Sequence, residues 1–404
     1  MGRVKKKALS AVPIATGPSP GLTALAALAK GYHIGEIERQ VREEGKRAVW
    51  GGASWEAPLV RACGTIPVGI NELWRGDSLH AESVAEDYHQ IPAEFCSMIK
   101  AMVGRLRLKK DGPIKRLLLF GSTCEPIGNA VEHAQRDGFE LHWIDAATAF
   151  KASEIRPELV DFLVKELEKT AIWLQGAPVD EERLREEIRL KNRVSAKIRR
   201  ILNLRLAAPF YLSSVPVLQI LVGSIHYFGA PEAFLGVLDS LIAELEEAGK
   251  HPVDRPYIPL VLAGLIGGPV GGLALLNAVE EADGVILGWV QISTADFRED
   301  IPPLRAIAEY LFAAQVKGEL GEGAGASATY RRVRVEELVD ETKAKGIISS
   351  FVTGCPYGSV VQGLEREYFK KKGIPLVALE TTVHDVPPTE EQITKVKTFI
   401  EMLA

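Results

Sequence analysis

Eight short apolar runs are spaced along this chain, and several are apolar at successive positions rather than at alternate ones. RAVWGGA (47–53), TIPVGIN (65–71), KRLLLFG (115–121) and FELHWID (139–145) occupy the first half. YIPLVLAG (257–264), DGVILGW (283–289), GIISSFVTG (346–354) and IPLVALE (374–380) occupy the second. A strand with one wet face alternates apolar and polar residues, whereas a strand covered on both faces does not. Helical patterns follow most of the runs, so helices supply the cover and the crossovers. The pattern predicts an α/β chain: two Rossmann-like or flavodoxin-like domains with parallel sheets, joined by a helical layer.

The joining layer is expected over roughly 155–245. Within it, EERLREEIRLKNRVSAKIRRILNL (181–204) is charged with apolar residues at helical spacing, and reads as an amphipathic connecting helix. The expected division is a lead-in over 1–31, a first α/β domain over 32–150, a helical region over 151–249 and a second α/β domain over 250–404. The lead-in is basic and then small and apolar, but Pro13, Pro18 and Pro20 interrupt any signal-peptide core, so a helix starting near Leu22 is expected. GELGEGAGASATYRRVR (318–334) reads as a mobile loop. The halves could be structural copies, but no repeat is visible between their sequences.

Charge narrows the function classes. The net charge of −5 gives no general nucleic-acid binder, and the runs at Lys5–Lys7 and Lys370–Lys372 are short enough to be solvated faces. No run reaches the roughly 18 apolar residues that span a membrane. Four cysteines in 404 residues are too few for a disulfide framework, so a reducing cytoplasm is the expected compartment.

The cysteines are placed unevenly. Cys124, in LLLFGSTCEPIGNAVEHA, and Cys355, in SSFVTGCPYGSVV, both lie between an expected strand and an expected helix. In open α/β sheets, ligands bind beyond the carboxyl ends of the strands. A helix start adds free N–H groups and a partial positive charge, which favour thiolate. Gly121, Gly354 and Gly358 would let the backbone turn closely around a bulky ligand. Cys96 begins another helical pattern, whereas Cys63 ends an apolar one and reads as a buried core residue. Buried structural thiols, a zinc site, a nucleophile and an iron–sulfur cluster all remain open on these grounds. Zinc would usually bring paired cysteines at close spacing, and no such pair exists.

At this point the ordered blocks AVWGGASWEAPLVRACGTIPVGINE, FCSMIKAMVG, GSTCEPIGNAVE and GCPYGSVVQGLEREYFKKKGIPLVALETT, with the closing TEEQITKVKTFIEML, resemble the 2-hydroxyacyl-CoA dehydratases and ATP-dependent benzoyl-CoA reductases, in their cluster-bearing subunits. The resemblance covers about 45–400. It implies that Cys96, Cys124 and Cys355 each bind one iron of a single [4Fe–4S] cluster, with the fourth iron left to solvent or substrate. It places Ser54 near the acyl-CoA and Glu72 at an active-site glutamate able to shuttle a proton. The last strand ends in Leu379-Glu380-Thr381-Thr382 where relatives often carry L-E-T-D, and His384 lies just beyond as an expected loop residue. GPVGGL (268–273) looks like a phosphate loop, but Gly-rich turns after strands are common; a turn opening space near substrate or cluster and a separate nucleotide site are the functional alternatives to that plain turn.

The implied chemistry is radical. An ATP-hydrolysing iron–sulfur activator supplies one low-potential electron, and the cluster passes it to an acyl-CoA thioester to give a ketyl. The implied partners are that activator and a paralogous second subunit in a heterodimer, or a second copy in a homodimer, with no nucleic acid and no membrane. The alternatives are a non-catalytic electron-transfer or cluster-scaffold protein, and a structural α/β protein with buried cysteines.

Overall fold

The computed structural model describes residues 19–73, 76–120, 125–145, 155–264, 269–290, 293–316, 328–384 and 386–404. The first half contains helices α1 (Pro20–Gly31), α2 (Ile34–Glu43), α3 (Ala57–Ala62), α4 (Ser78–His89), α5 (Ser97–Leu108) and α6 (Glu125–Arg136). They are interleaved with strands β1 (Arg47–Gly51), β2 (Thr65–Val68), β3 (Arg116–Phe120) and β4 (Glu140–Ile144). Next come α7 (Pro157–Gln175), α8 (Glu181–Ala207), α9 (Ser214–His226) and α10 (Pro231–Ala248). The remainder holds β5 (Ile258–Gly264), α11 (Pro269–Glu281), β6 (Gly284–Val290), α12 (Pro303–Val316), α13 (Ala328–Thr342), β7 (Gly346–Val352), α14 (Pro356–Lys372), β8 (Leu376–Thr381) and α15 (Glu390–Leu403).

All eight apolar runs form strands, in two four-stranded parallel sheets ordered β2-β1-β3-β4 and β6-β5-β7-β8. The orders are the same once each sheet is counted from its own first strand. A local device is repeated as well. The last residue of β1 is Gly51 at φ +85, and a Cβ there would lie 1.9 Å from the Leu118 carbonyl of β3. The last residue of β5 is Gly264 at φ +107, and its Cβ would lie 1.9 Å from the Ser350 carbonyl of β7. In both sheets the central pair closes so tightly at its carboxyl end that only glycine fits. The two halves therefore share a plan that their sequences conceal.

Two strands are shorter than expected. β1 stops at Gly51 because Gly51 and Gly52 both turn to positive φ, so Ser54 stands in the following bend. β2 stops at Val68, and Glu72 lies in a 3₁₀ turn over Ile70–Leu73. The expected loop over 318–334 is also corrected in part. Residues 328–334 begin α13, while 317–327 lie outside the described residues. Likewise the second part of GPVGGL, from Pro269, is the start of α11, and 265–268 lie outside the described residues.

The helical layer has its own core of Leu25, Ile198, Ile201, Phe234, Leu238 and Leu241. α1 joins it: Ser19 caps the helix and donates to Glu244 (2.5 Å) on α10. α8 is amphipathic as expected, burying Leu184, Ile188, Lys191, Val194, Ser195, Ile198, Ile201 and Arg205 along one stripe. Two cations therefore sit in a buried face. Arg205 donates to the Leu212 carbonyl (2.7 Å) and to the Ile286 carbonyl on edge strand β6. That satisfies a backbone group that an edge strand leaves unpaired. No helix among the described residues is long and apolar enough to cross a membrane.

Candidate metal centre

Two described cysteines each stand immediately before the first residue of a helix: Cys96 before α5 and Cys355 before α14. Cys124 and Gly121 lie outside the described residues. Cys96 and Cys355 are described, and they meet. Although 259 positions apart (355 − 96), their thiols lie close enough to act directly on each other.

Each thiol is held by its own helix start and by the meshing of two loops. The loop before Cys96 turns on a bond from Phe95 N–H to the Pro92 carbonyl (3.0 Å). Ser97 N–H, the next donor, crosses to the Thr353 carbonyl (3.1 Å) in the loop after β7. Between Thr353 and Cys355, Gly354 adopts φ +73, and a Cβ there would lie 2.6 Å from the Phe95 carbonyl and 2.7 Å from that of Glu94. Cys355 caps α14: Gly358 N–H donates to its sulfur (3.2 Å), and Pro356 supplies a pre-set first turn. Gly358 is required as well, because a Cβ would stand 2.6 Å from the Phe351 ring. Gly354 thus lets the two loops mesh, and Gly358 lets α14 pack against Phe351 of β7.

The electrostatics correct one expectation. A helix start should favour thiolate, and the Ile99 and Met98 N–H groups do act that way on Cys96. Yet the Cys96 thiol is held well above the ordinary thiol range, first by the facing Cys355 thiol and second by burial. Two adjacent sulfurs cannot both carry charge in a buried site, so they share protons. A bound cation reverses that sign and favours both thiolates. Cys63 differs in its place and in the cause of its shift: it ends α3, is fully buried, and burial alone pushes its thiol up to about 11. It is a core residue, as expected.

Among the described residues no group of three or more histidine, cysteine or carboxylate ligands gathers. The two thiols present nevertheless fit an iron–sulfur group by donor chemistry, since soft sulfur ligands at two facing helix starts are what such a group takes.

The carboxyl ends of adjacent parallel strands β1 and β2 lead to Ser54 and Glu72. Ser54 is exposed, and Glu72 is buried at 4% exposure. Glu56, two residues after Ser54, was not singled out from sequence. It is buried, its Oε2 has no hydrogen-bond partner among the described residues, and burial pushes the carboxyl up to about 7. An acid just before an apolar helix reads as a cap, but Glu56 makes no side-chain cap bond. At the carboxyl end of β6 a cleft of about 450 Å³ opens, lined in part by Arg199, Asn203, Trp289, Arg334 and Leu338.

Behind Cys96 lies a polar cluster that sequence reasoning also missed. Glu82 of α4 accepts from Ser97 Oγ (2.7 Å), pairs with Lys100 (3.1 Å) and bonds His384 Nε2 (2.5 Å). Lys100 also reaches Glu86 (2.6 Å). The one available signal was a lysine inside the apolar stretch Ile99–Val103.

The family described as 2-hydroxyglutaryl-CoA dehydratase, D-component, matches residues 55–403. The chain belongs to this family. The match takes in all four cysteines, the whole second sheet and three strands of the first, β1 lying just before it. YjiM of Escherichia coli (strain K12), named as a dehydratase subunit, is 24% identical over 334 residues, covering 80% of this chain and 84% of that protein. As a family member, the chain is a component of a 2-hydroxyacyl-CoA dehydratase-type enzyme.

Proposed function

We propose that this chain is the iron–sulfur subunit of a 2-hydroxyacyl-CoA dehydratase-type enzyme, with Cys96, Cys124 and Cys355 holding a [4Fe–4S] cluster. The observation that carries the reading is the contact between the Cys96 and Cys355 thiols, brought together from the two halves of the chain. When bound, the cluster supplies a low-potential electron, received from an ATP-hydrolysing activator, to the thioester carbonyl of an acyl-CoA.

The chain's own residues have separate tasks in this reading. Three protein thiols leave one position of the group without a ligand from this chain, as open catalytic metal sites do. Glu72, buried after β2, holds or moves the proton that leaves the carbon next to the hydroxyl-bearing one. Glu56, with its carboxyl at about 7, is poised to exchange that proton near neutral pH. Ser54 offers a hydrogen bond to the acyl-CoA. The cleft beside β6 takes the nucleotide end, with the Arg199 and Arg334 guanidinium groups at its wall. A paralogous subunit completes the enzyme.

A second reading, a cluster-bearing electron-transfer protein without turnover, draws support from Thr382, which stands where relatives often carry aspartate. Two measurements on anaerobically purified protein test both. Serine substitution of Cys96, Cys124 or Cys355 lowers iron content, and Cys63→Ser does not; equal iron in all four variants sinks the cluster assignment. Calorimetry with an acyl-CoA then separates the readings, since an electron-transfer protein gives no binding heat.

A further inference from the structure

We infer that His384 is a positioning residue for the cysteine centre, acting through Glu82 to hold Cys96 against Cys355. The inference rests on the proposed cysteine centre. It starts from two groups that no expected reaction step uses: a carboxylate at 6% exposure and a lysine at 5% exposure.

Glu82 is the hub. Its first oxygen takes Ser97 Oγ (2.7 Å) and His384 Nε2 (2.5 Å), and its second takes Lys100 Nζ (3.1 Å). Lys100 further donates to Glu86 (2.6 Å) and to the Ala93 carbonyl (2.5 Å), which lies in the turn leading to Cys96. Ser97 is the residue after Cys96, so Glu82 and Lys100 grip both flanks of that turn. His384 comes from the other half of the chain, three residues beyond the end of β8. Its neighbour Val383 accepts a hydrogen bond from Ser78 Oγ (3.3 Å) at the start of α4. The same strand end is bound to the Cys355 loop, because Thr353 N–H donates to the Thr381 carbonyl (2.7 Å).

A closed circuit results. It runs from Cys355 through Thr353, Thr381 and His384 to Glu82, then through Ser97 to Cys96. Each link is a hydrogen bond or one to three residues of backbone, so the thiol-to-thiol geometry is fixed on the side away from the sulfurs. Charged, buried hydrogen bonds are both strong and directional, which suits positioning more than it adds stability. Glu82 is held below the usual carboxylate range, against its burial, by His384, Ser97 and Lys100, consistent with an ionised hub.

The test uses the full-length protein freed of metal by chelation. Diamide takes the two thiol hydrogens of an adjacent cysteine pair and leaves a disulfide. Peptide mapping then measures the Cys96–Cys355 product in the wild type, His384→Ala, His384→Gln and Ser97→Ala. His384→Ala is expected to slow this disulfide about tenfold, on the scale of one lost charged hydrogen bond. His384→Gln, which keeps a donor near Glu82, restores most of the rate. Iron retention in the metal-loaded variants follows the same order. Wild-type crosslinking in His384→Ala, with unchanged iron retention, would overturn the inference while leaving the cysteine centre standing. Absence of the disulfide in the wild type itself overturns the centre and this inference together. If His384→Ala does not fold, Ser97→Ala decides: a slowed disulfide supports the circuit and an unchanged one refutes it.

Discussion

The Cys96 thiol at the start of α5 faces the Cys355 thiol at the start of α14, where the carboxyl-end loops of the two halves mesh. Neither sheet alone could form this pair. The contact depends on Gly354, whose missing side chain lets the second loop lie against the backbone of Phe95 and Glu94.

Gly354→Ala should therefore damage the centre from a distance. An alanine Cβ would meet two carbonyl oxygens at 2.6–2.7 Å on a left-handed backbone. Strain of about 1–3 kcal/mol is expected from the backbone alone, and more from the clash. Thermal unfolding should show the loss, and anaerobic iron content should fall further than stability does. Wild-type iron binding by Gly354→Ala would show that the loops separate freely.

Glu72→Gln is expected to keep iron and acyl-CoA binding and to lower turnover at least about 100-fold, the usual contribution of a positioned proton carrier. Ser54→Ala should weaken acyl-CoA binding by about 1 kcal/mol, one ordinary hydrogen bond. Steady-state kinetics with the partner subunit and activator present would check both. An unchanged turnover in Glu72→Gln would move the proton role elsewhere, with Glu56 the first alternative because it too is buried and its carboxyl sits near neutrality.

The cleft beside β6 makes a separate prediction. Asn203 is exposed on α8 and lines the opening, so Asn203→Trp should fill the space without disturbing the core. Acyl-CoA affinity should fall about tenfold or more, with iron content unchanged, as expected for losing one well-packed group. Calorimetric titration gives the answer directly. Wild-type affinity in this variant would exclude the cleft as the nucleotide site.

Lys191 predicts a pH effect on stability. It lies in the buried stripe of α8, donates to the Ser224 carbonyl (3.0 Å), and burial pushes its amine down to about 7. In the unfolded chain a lysine titrates near about 10.4. Between these values the unfolded chain binds the proton and the folded chain does not, so this group makes stability rise with pH from about 7 to about 10. Below about 7 its unfavourable contribution is fully present, since both states are then charged. Lys191→Met should stabilise the protein by about 1–3 kcal/mol at pH 6 and by little at pH 10, as removal of a buried unpaired charge does. Denaturant midpoints at the two pH values measure the difference. A gain that is the same at both would mean that Lys191 stays charged in the folded state.

The sequence by itself determined the sheets. Eight apolar runs, several of them without alternation, called for cover on both faces, and helical patterns after most of them supplied parallel crossovers, so strand number and sheet type were legible. It also separated Cys63 from the other cysteines, because a thiol at the end of an apolar helix differs locally from one at a helix start. The tertiary structure decided the rest. The shared strand order and the paired glycines Gly51 and Gly264 depend on which strands become neighbours, and nothing in a single strand encodes that. The circuit through Glu82 and His384 joins residues 302 positions apart, and each looks like an ordinary surface charge until the loops meet. The raised thiol of Cys96 likewise has its largest cause far away in sequence: its helix start pulls toward thiolate, and the second sulfur, delivered by the other half of the chain, outweighs that pull together with burial.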